Sequence, residues 1–202
     1  MGQQQLISWE QLSKLVPVIP KGAEVFVSYF NTFMPQYGID TSERIAMFLA
    51  QLAHESGGFK YVRELWGPTS QQLKYERDFN SAWPPTAEDN KNKVAFALGN
   101  ANAGDGKFFR GRAFIQCTGR NNYHSFSVYK GDPEMFTKNP ELLEAPSYNI
   151  EYCCWFWQTH NLNKSADARD LHANTLIING GLTGFDNRQK CYDRAKDVLM
   201  LS

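Results

Sequence analysis

Hydrophobic residues recur three and four positions apart along most of the chain, and this spacing predicts a mainly α-helical protein. Near the amino terminus the pattern predicts two helices, within Leu6–Val16 and Lys21–Tyr37, each ended by proline or glycine. Phe108–Gln116 instead alternates weakly between apolar and polar residues, which predicts a small β-hairpin in the middle of the chain. Helical spacing also predicts helices before and after this hairpin, in Asn90–Leu98, Leu142–Ala145, Ile150–Thr159, Asp170–Asn179 and Asn187–Leu201.

A third helix carries the first candidate for chemistry. Asp40-Thr-Ser-Glu43 matches a capping box, in which the first residues accept backbone N–H groups and the glutamate reaches back. Gly57-Gly58 ends the helix, because glycine accepts left-handed backbone angles. Glu55 is therefore expected in the last turn, beside the apolar face and facing a cleft. That face consists of Ile45, Phe48, Leu49 and Leu52.

Composition narrows the class of protein. The 202 residues suit a single domain over residues 1–202, or a domain with a small lobe. Lys+Arg and Asp+Glu are both 21, so the formal net charge is zero. This balance gives no long-range attraction to nucleic acid or to an anionic membrane. No run of about 18 apolar residues is present, so stable membrane insertion is not expected. Met1–Glu10 lacks the basic and apolar regions of a secretory signal.

The four cysteines, Cys117, Cys153, Cys154 and Cys191, form no CxxC pair. A zinc cage needs a different spacing, and the histidines show no ligand spacing either, so no metal and no cofactor are expected. Reduced, mostly buried thiols are predicted instead. His54 lies off the apolar face of its helix and is predicted to be a surface or loop-packing residue.

Two carboxylates could hydrolyse a glycosidic bond. One must donate a proton to the leaving oxygen, and the other must be ionised to activate water or to attack. Glu55, at a helix end against an apolar face, suits the acid. Glu64, in a polar loop after Tyr61, suits the base. On spacing alone, the preferred interpretation is a helix-end glutamate and a surface glutamate without a catalytic role.

The segment Arg110–Tyr123 is dense in amide, hydroxyl and guanidinium groups around two apolar residues. Gln116 and Tyr123 offer groups suited to sugar hydroxyls and N-acetyl groups, and Thr118 could orient a water. A tight hairpin with solvated polar groups is an equally good interpretation.

The last cluster is Ile177–Gly184 with Arg188. Its glycines allow close approach of the backbone, but no phosphate-loop Lys-Ser/Thr follows them. Asn179 could bind a sugar, and Arg188 could lie against Glu55 or Glu64. A simple turn between helices is the alternative.

Together these clusters resemble glycoside hydrolase family 19, in its phage and prophage endolysin branch rather than its plant chitinases. Three stretches carry the resemblance, in the family's order. They are Ala53-His-Glu-Ser-Gly-Gly-Phe59, Gly111-Arg-Ala-Phe-Ile-Gln-Cys-Thr-Gly-Arg-Asn-Asn-Tyr123, and Ile178-Asn-Gly-Gly-Leu182 with Arg188 and Tyr192. The resemblance implies a mainly α, lysozyme-like fold with two lobes around a central substrate groove. It also implies inverting hydrolysis without metal or cofactor.

The resemblance also implies a role for each site residue. Glu55 is the general acid, Glu64 the general base, and Thr118 holds the attacking water. The remaining residues are assigned to substrate binding or to steadying the carboxylates: Tyr61, Gln116, Tyr123, Asn179 and Arg188.

Two residues depart from the family pattern. Ala113 stands where the family usually has glycine, and Thr183 stands where plant chitinases carry glutamate. The second departure weakens a chitinase interpretation. The prediction is therefore a monomeric endolysin that cleaves between N-acetylmuramic acid and N-acetylglucosamine in peptidoglycan. A chitinase and a non-catalytic glycan-binding protein are the alternatives.

The predicted function also implies where in the cell the protein acts and what it binds. The enzyme would be made in the bacterial cytoplasm and would act on peptidoglycan after a holin or another membrane lesion gives access. Its partner is the glycan strand, and no nucleic acid is expected.

Overall fold

The computed structural model describes residues 5–201. The first four residues, on which part of the prediction about a secretory signal rests, lie outside that range. The protein is mainly helical, as predicted. Its α-helices are α1 (Trp9–Lys14), α2 (Val25–Phe33), α3 (Ser42–Glu55), α4 (Ser70–Leu73), α5 (Lys93–Ala97), α6 (Asp105–Phe108), α7 (Arg120–Tyr129), α8 (Met135–Lys138), α9 (Pro146–Thr159), α10 (Leu162–Asp167), α11 (Leu171–Asn179) and α12 (Phe185–Val198). Two 3₁₀ segments, Met34–Tyr37 and Pro140–Glu144, complete the list.

These helices form two compact units. The first unit runs up to Val62 and resumes at Pro146, and the second is Arg63–Ala145. The first unit therefore contains α1 to α3 and α9 to α12, whereas the second contains α4 to α8.

Helix α3 is the centre of the first unit. It packs against α12 and α10, and every residue from Ile45 to Ala53 is buried. The Phe48 ring lies edge-on to two other aromatic rings, 6.3 Å from Phe30 and 5.2 Å from Trp157. The sequence predicts one apolar face, but the helix is enclosed on all sides. Its last turn is therefore held by well-packed neighbours.

The predicted capping box of α3 is half formed. Thr41 is the N-cap, and its hydroxyl accepts the Arg44 amide at 3.3 Å. Glu43 has partners outside its own helix: it pairs with Arg169 at 2.5 Å and accepts the Tyr192 hydroxyl at 3.2 Å. With Thr41 as the N-cap, the third helical residue is Arg44, so Glu43 is one position short of the place from which a capping box reaches back.

The second unit has a small aromatic core. Phe126 stacks on Phe136 with 5.0 Å between ring centroids, and Phe109 lies 5.3 Å from the Tyr123 ring. All four side chains are fully buried. Helix α7, which brings Tyr123 and Phe126 into this core, was not predicted, because its Arg-Asn-Asn start and interspersed polar residues obscure the helical period.

The predicted hairpin over Phe108–Gln116 is reduced in the structure to a compact loop. Its β character consists of two isolated antiparallel bridges, Arg63 with Arg112 and Arg112 with Cys117. Ala113 and Gln116 have φ angles of 60° and 62°. Residues in this left-handed region cannot continue an extended strand, which explains why the pairing stops after one residue.

The four cysteines are free and buried, as predicted. No helix among residues 5–201 combines the length and the apolar character that a membrane span requires. Within the same residues, no three or more His, Cys, Asp or Glu side chains are grouped so as to hold a metal ion.

Candidate active site

Glu55 is the last residue of α3, as predicted. The helix ends at Ser56, and Gly57 and Gly58 follow with φ angles of 61° and 80°. The Ser56 hydroxyl donates to the Leu52 carbonyl at 2.6 Å and accepts the Phe59 amide at 2.7 Å, so it fixes the turn. Only 17% of the Glu55 side chain is exposed. The turn thus leaves this carboxylate partly open at the end of a rigid helix.

Arg188 of α12 reaches Glu55 across the first unit. One guanidinium nitrogen, Nη2, donates to Oε1 of Glu55, and the other, Nη1, donates to Oε1 of Gln51. Gln51 in turn donates to the Thr175 hydroxyl at 3.1 Å. Arg188 is 1% exposed, and it was predicted to lie against one of the two glutamates. Because it is buried and committed to Glu55, its place is with the carboxylate and not with a sugar.

Sequence reasoning missed Gln51 and Thr175. The available signal was Gln51 itself, a polar residue one helical turn before Glu55 in an otherwise apolar run. The second oxygen of Glu55, Oε2, accepts no hydrogen bond from the described part of the chain. It is therefore the oxygen available to a proton or a ligand.

His54 packs on the start of α12, at the N-cap Gly184 and the first-turn residue Asn187, which agrees with its predicted packing role. Its Nδ1 lies 2.8 Å from Oδ1 of Asn187. Gly184, with φ 74°, passes so close that an added Cβ would lie 2.4 Å from the ring carbon Cε1. The first turn of α12, which carries Arg188, thus packs against His54, the residue before Glu55.

Substituting Gly184→Ala tests this packing. The methyl group would meet the His54 ring and the backbone angle is unfavourable, so a loss of about 2–3 kcal/mol in the free energy of unfolding is expected. Equilibrium urea denaturation measures it. Gly180→Ala is the matched control, with φ 67° but nothing within 4 Å of the added Cβ. Its loss should be only about 1 kcal/mol, and equal losses would contradict the contact.

Asn179 and Tyr61 are accessible side chains of the first unit. Asn179 is the exposed last residue of α11, and Gly180 follows it as a left-handed cap. The Tyr61 side chain is 40% exposed, and its ring lies 4.9 Å from Nζ of Lys60. Both can therefore meet a ligand from solvent.

Glu64 has a well-defined place in the second unit. Its Oε1 accepts the Gln72 side-chain amide at 2.9 Å, and its Oε2 accepts the Gly111 backbone amide at 3.2 Å. The Glu64 amide donates to the Gly111 carbonyl at 2.8 Å, which locks the two residues together. N–H donors on both oxygens suit an ionised carboxylate, which can only accept. Gln72 is a further residue that the sequence did not single out.

Gly111 brings Gln116 and Thr118 to the same place. A Cβ on Gly111 would lie 2.0 Å from Oε1 of Gln116 and 3.2 Å from Oγ1 of Thr118. The Thr118 hydroxyl donates to the Gln116 carbonyl at 3.1 Å, and both residues are half-buried. Glu64, Gln116 and Thr118 are therefore gathered around one glycine.

Tyr123 requires a correction. It was assigned to sugar binding, but its side chain is fully buried. Its hydroxyl donates to the Arg110 carbonyl at 2.6 Å and accepts from Nη1 of Arg112 at 3.0 Å. Burial raises the pKa of this phenol well above its ordinary value. The aromatic ring that sequence reasoning placed in the groove is a core residue that shapes the loop around Gly111.

Ala113 shows why glycine is usual at its position. It is fully buried with φ 60°, an angle that costs alanine about 1 kcal/mol relative to glycine. The loop nevertheless keeps its course. Thr183 is exposed in the turn before α12 and brings no carboxylate to Arg188.

Comparison with known proteins gives several relatives, although no family model matches the chain. A protein of Haemophilus influenzae described as a glycosyl hydrolase family 19 domain-containing protein is 33% identical over 205 residues. The match covers 93% of this chain and 94% of the relative. An endochitinase of Arabidopsis thaliana is 28% identical over 78% of this chain and 46% of its own length. The chain thus spans about half of that plant enzyme.

Solved structures show the same fold at lower sequence identity. Chitinase C from Streptomyces griseus matches with a TM-score of 0.71 at 17% identity, over 98% of this chain and 78% of that one. A family 19, class IV chitinase from Zea mays matches with a TM-score of 0.59 at 19% identity, over 92% and 84%. The mainly helical, lysozyme-like fold predicted from the sequence is the fold of these proteins, which confirms the prediction.

Proposed function

The chain belongs to glycoside hydrolase family 19, and on that premise we propose that it is a peptidoglycan-cleaving endolysin. It hydrolyses the β-1,4 bond between N-acetylmuramic acid and N-acetylglucosamine. The observation that carries the proposal is Glu55 at the end of α3. Arg188 holds one oxygen of this carboxylate, and the other accepts nothing from residues 5–201.

The proposed mechanism is inversion with two carboxylates. Glu55 carries a proton on Oε2 and donates it to the leaving glycosidic oxygen. Glu64 is the base that takes a proton from water, and the Thr118 hydroxyl helps to hold that water. Inversion needs room for a water between base and sugar, typically with carboxyl groups about 6.5–9.5 Å apart. The fixed hydrogen bonds on Glu64 and the rigid seat of Glu55 support assigning both roles.

Sugar binding is assigned to three accessible side chains. Gln116 and Asn179 present amides that can bond hydroxyl and N-acetyl groups, and Tyr61 presents a ring against which a sugar face can lie. Arg188 positions Glu55 instead of binding substrate.

Peptidoglycan is proposed over chitin as the substrate because of one residue near Arg188, namely Thr183. Plant chitinases carry a glutamate where this chain has Thr183, so their charge network is incomplete here. The second candidate, chitinase, is favoured by a different observation: the similar plant relatives and the solved structures named above are chitinases.

Product analysis tests the proposal and separates the candidates. Purified peptidoglycan sacculi should yield muropeptides with N-acetylmuramic acid at the reducing end, seen by mass spectrometry after borohydride reduction. Proton NMR during the first turnovers should show the α-anomer, as inversion requires. Chitin oligomers cleaved while sacculi stay intact would replace this proposal with chitinase.

The biological setting belongs to the same proposal. The enzyme acts as a monomer on the glycan strands of the bacterial wall, after synthesis in the cytoplasm. A holin or a comparable membrane lesion admits it to the wall.

A Gly111→Ala substitution should separate activity from stability. The new methyl would displace the Gln116 side chain, while the Gly111 backbone has no left-handed strain to worsen. We expect kcat/KM to fall about tenfold and the free energy of unfolding to change by less than about 1 kcal/mol. Gly131→Ala, in the same unit with nothing within 4 Å of the added Cβ, is the control for activity and should keep kcat/KM unchanged. Because Gly131 has φ 83°, this control should itself lose about 1 kcal/mol of stability. Unchanged kcat/KM would remove Gln116 from the site.

A further inference from the structure

A cavity of about 400 Å³ lies in the second unit. One of its lining residues, Trp66, follows Glu64 closely in the sequence. Its apolar walls include Trp66, Leu73 and Phe108, and its charged lining includes Lys107 and Arg110. Arg110 immediately precedes Gly111, whose amide binds Glu64. The cavity therefore adjoins the proposed base and is not a remote surface hollow.

The positive charge around this cavity exceeds its local compensation. Three arginines, Arg63, Arg110 and Arg112, lie together, but they share a single carboxylate. Glu144 pairs with Arg112 at 2.9 Å and with Arg63 at 3.3 Å. Arg112, which also lines the cavity, is thus paired within the fold. The charge of Arg110 is not balanced by an ion pair of its own in the described residues.

Arg110 forms no ion pair in the described part of the chain, and Glu144, which pairs with Arg112 and Arg63, acts on it only from a greater distance. Its Nη1 donates only to the Lys107 carbonyl at 3.1 Å, and its Nε is buried without a hydrogen-bond partner. Burial, then the neighbouring Arg112 and Arg63, lower the pKa of this guanidinium. Lys107 is exposed and likewise forms no ion pair with residues 5–201. An arginine that lacks an anion in such surroundings has affinity for one from solvent.

One carboxylate of the fold, Glu76, also lines the cavity, but it is already engaged. Its Oε2 accepts the Gly104 amide at 3.1 Å, and its Oε1 accepts the Lys107 amide at 2.9 Å. Glu76 therefore serves the loop before α6. These neutral amides leave Glu76 its negative charge, but within residues 5–201 it forms no ion pair with Lys107 or Arg110, so both cationic side chains stay open to an incoming group.

We propose that this cavity binds a carboxylate of the substrate, with Arg110 as its main ligand and Lys107 as a second cation. The inference rests on the proposed function and sharpens it. The stem peptides of peptidoglycan carry free carboxylates, and N-acetylmuramic acid carries a free lactyl carboxylate wherever its stem peptide has been removed, whereas chitin carries none. Trp66, Leu73 and Phe108 provide an apolar surface for the methyl groups that accompany those carboxylates. The cavity is thus a specificity site for acidic glycans.

Binding measurements test this inference independently of turnover. All proteins carry Glu55→Gln, so that ligands are not cleaved. Isothermal titration compares three ligands: a disaccharide tetrapeptide from peptidoglycan, the same disaccharide without peptide, and the neutral disaccharide of N-acetylglucosamine. The test variant is Arg110→Gln with Lys107→Gln. The matched control is Lys93→Gln, an exposed lysine of the same unit without an ion pair in the described chain.

The double variant should bind the acidic ligands about tenfold more weakly and the neutral disaccharide unchanged. The acidic ligands should also lose affinity with added salt. If the peptide-free disaccharide shows the full loss, the lactyl group supplies the carboxylate, and if only the tetrapeptide shows it, the stem peptide does. Arg110→Lys should recover part of the affinity, because it restores the charge without the fork.

Two outcomes would overturn the inference. Equal weakening of the acidic and the neutral ligands would mean that Arg110 supports the loop only. No weakening of any ligand would leave the cavity without a role in binding. Failure of the proposed function is a separate result, since it would appear as intact sacculi with the wild-type enzyme, whatever the binding data show.

Discussion

Replacing Glu55 with glutamine is expected to lower kcat by about 10²–10⁴-fold with little change in stability. Glutamine has almost the same shape, and its carbonyl oxygen can still accept the hydrogen bond from Arg188. What it loses is the proton that the leaving glycosidic oxygen requires. Release of reducing ends from sacculi measures turnover, and the thermal midpoint measures folding.

The appropriate control is Glu24→Gln. Glu24 is exposed at the start of α2 and makes no capping hydrogen bond, so the same chemical change there should leave kcat unaltered. A Glu55→Gln enzyme that keeps kcat within about fivefold of the wild type would be incompatible with general acid catalysis by this residue. The Michaelis constant should stay close to its wild-type value if only the chemical step is lost.

The location of Glu55 could be predicted from local sequence because every determinant lies within one helix. The apolar face of α3, the cap at Thr41 and the Gly57-Gly58 stop are all short-range features. Its chemical environment could not be predicted in the same way. Arg188 belongs to another helix, and nothing in the spacing of α12 distinguishes a buried guanidinium from an exposed one. The resemblance to a family, and not periodicity, supplied that residue.

Tyr123 shows the opposite limit. A tyrosine in a polar stretch is compatible with both a groove and a core, because the ring is apolar and the hydroxyl is polar. The decisive fact is that α7 exists and carries Tyr123 inward with Phe126. The predicted hairpin ends at Gln116 and no helix is predicted over Arg120–Tyr129, so the sequence pattern gives no reason to bury Tyr123.

The predicted hairpin over Phe108–Gln116 does not form because of the backbone conformation of two of its residues. Weak alternation of apolar and polar residues predicts a strand only if each residue takes extended angles. Ala113 and Gln116 are left-handed, although neither is glycine, and single-sequence patterns do not reveal such residues. The resulting loop brings the Gln116 side chain against Gly111, whose amide binds Glu64, and an ideal hairpin would not give this geometry.

Arg188→Met is the second substitution with a large expected effect. Arg188 is 1% exposed, and it bonds both Gln51 and Glu55. Methionine fills the space but removes the cation, which leaves the Glu55 carboxylate, itself 17% exposed, without its partner. We expect a loss of about 3 kcal/mol in the free energy of unfolding, from urea denaturation. Turnover per folded molecule should also fall about 10²-fold, because Glu55 is no longer fixed.

Arg44→Met is the matched control on the same helix as Glu55. Arg44 forms a two-pronged pair with Asp167, at 2.6 and 2.7 Å, but 25% of the arginine and 46% of the aspartate side chain are exposed. An ion pair so open to water contributes about 1 kcal/mol or less to stability. Arg44 also lies near the start of α3, whereas Glu55 is its last residue. If Arg188→Met were no more destabilising than Arg44→Met, the pair with Glu55 would be an exposed contact in solution. If stability fell while turnover per folded molecule stayed constant, Arg188 would support the helices alone, and Glu55 would hold its catalytic position without it.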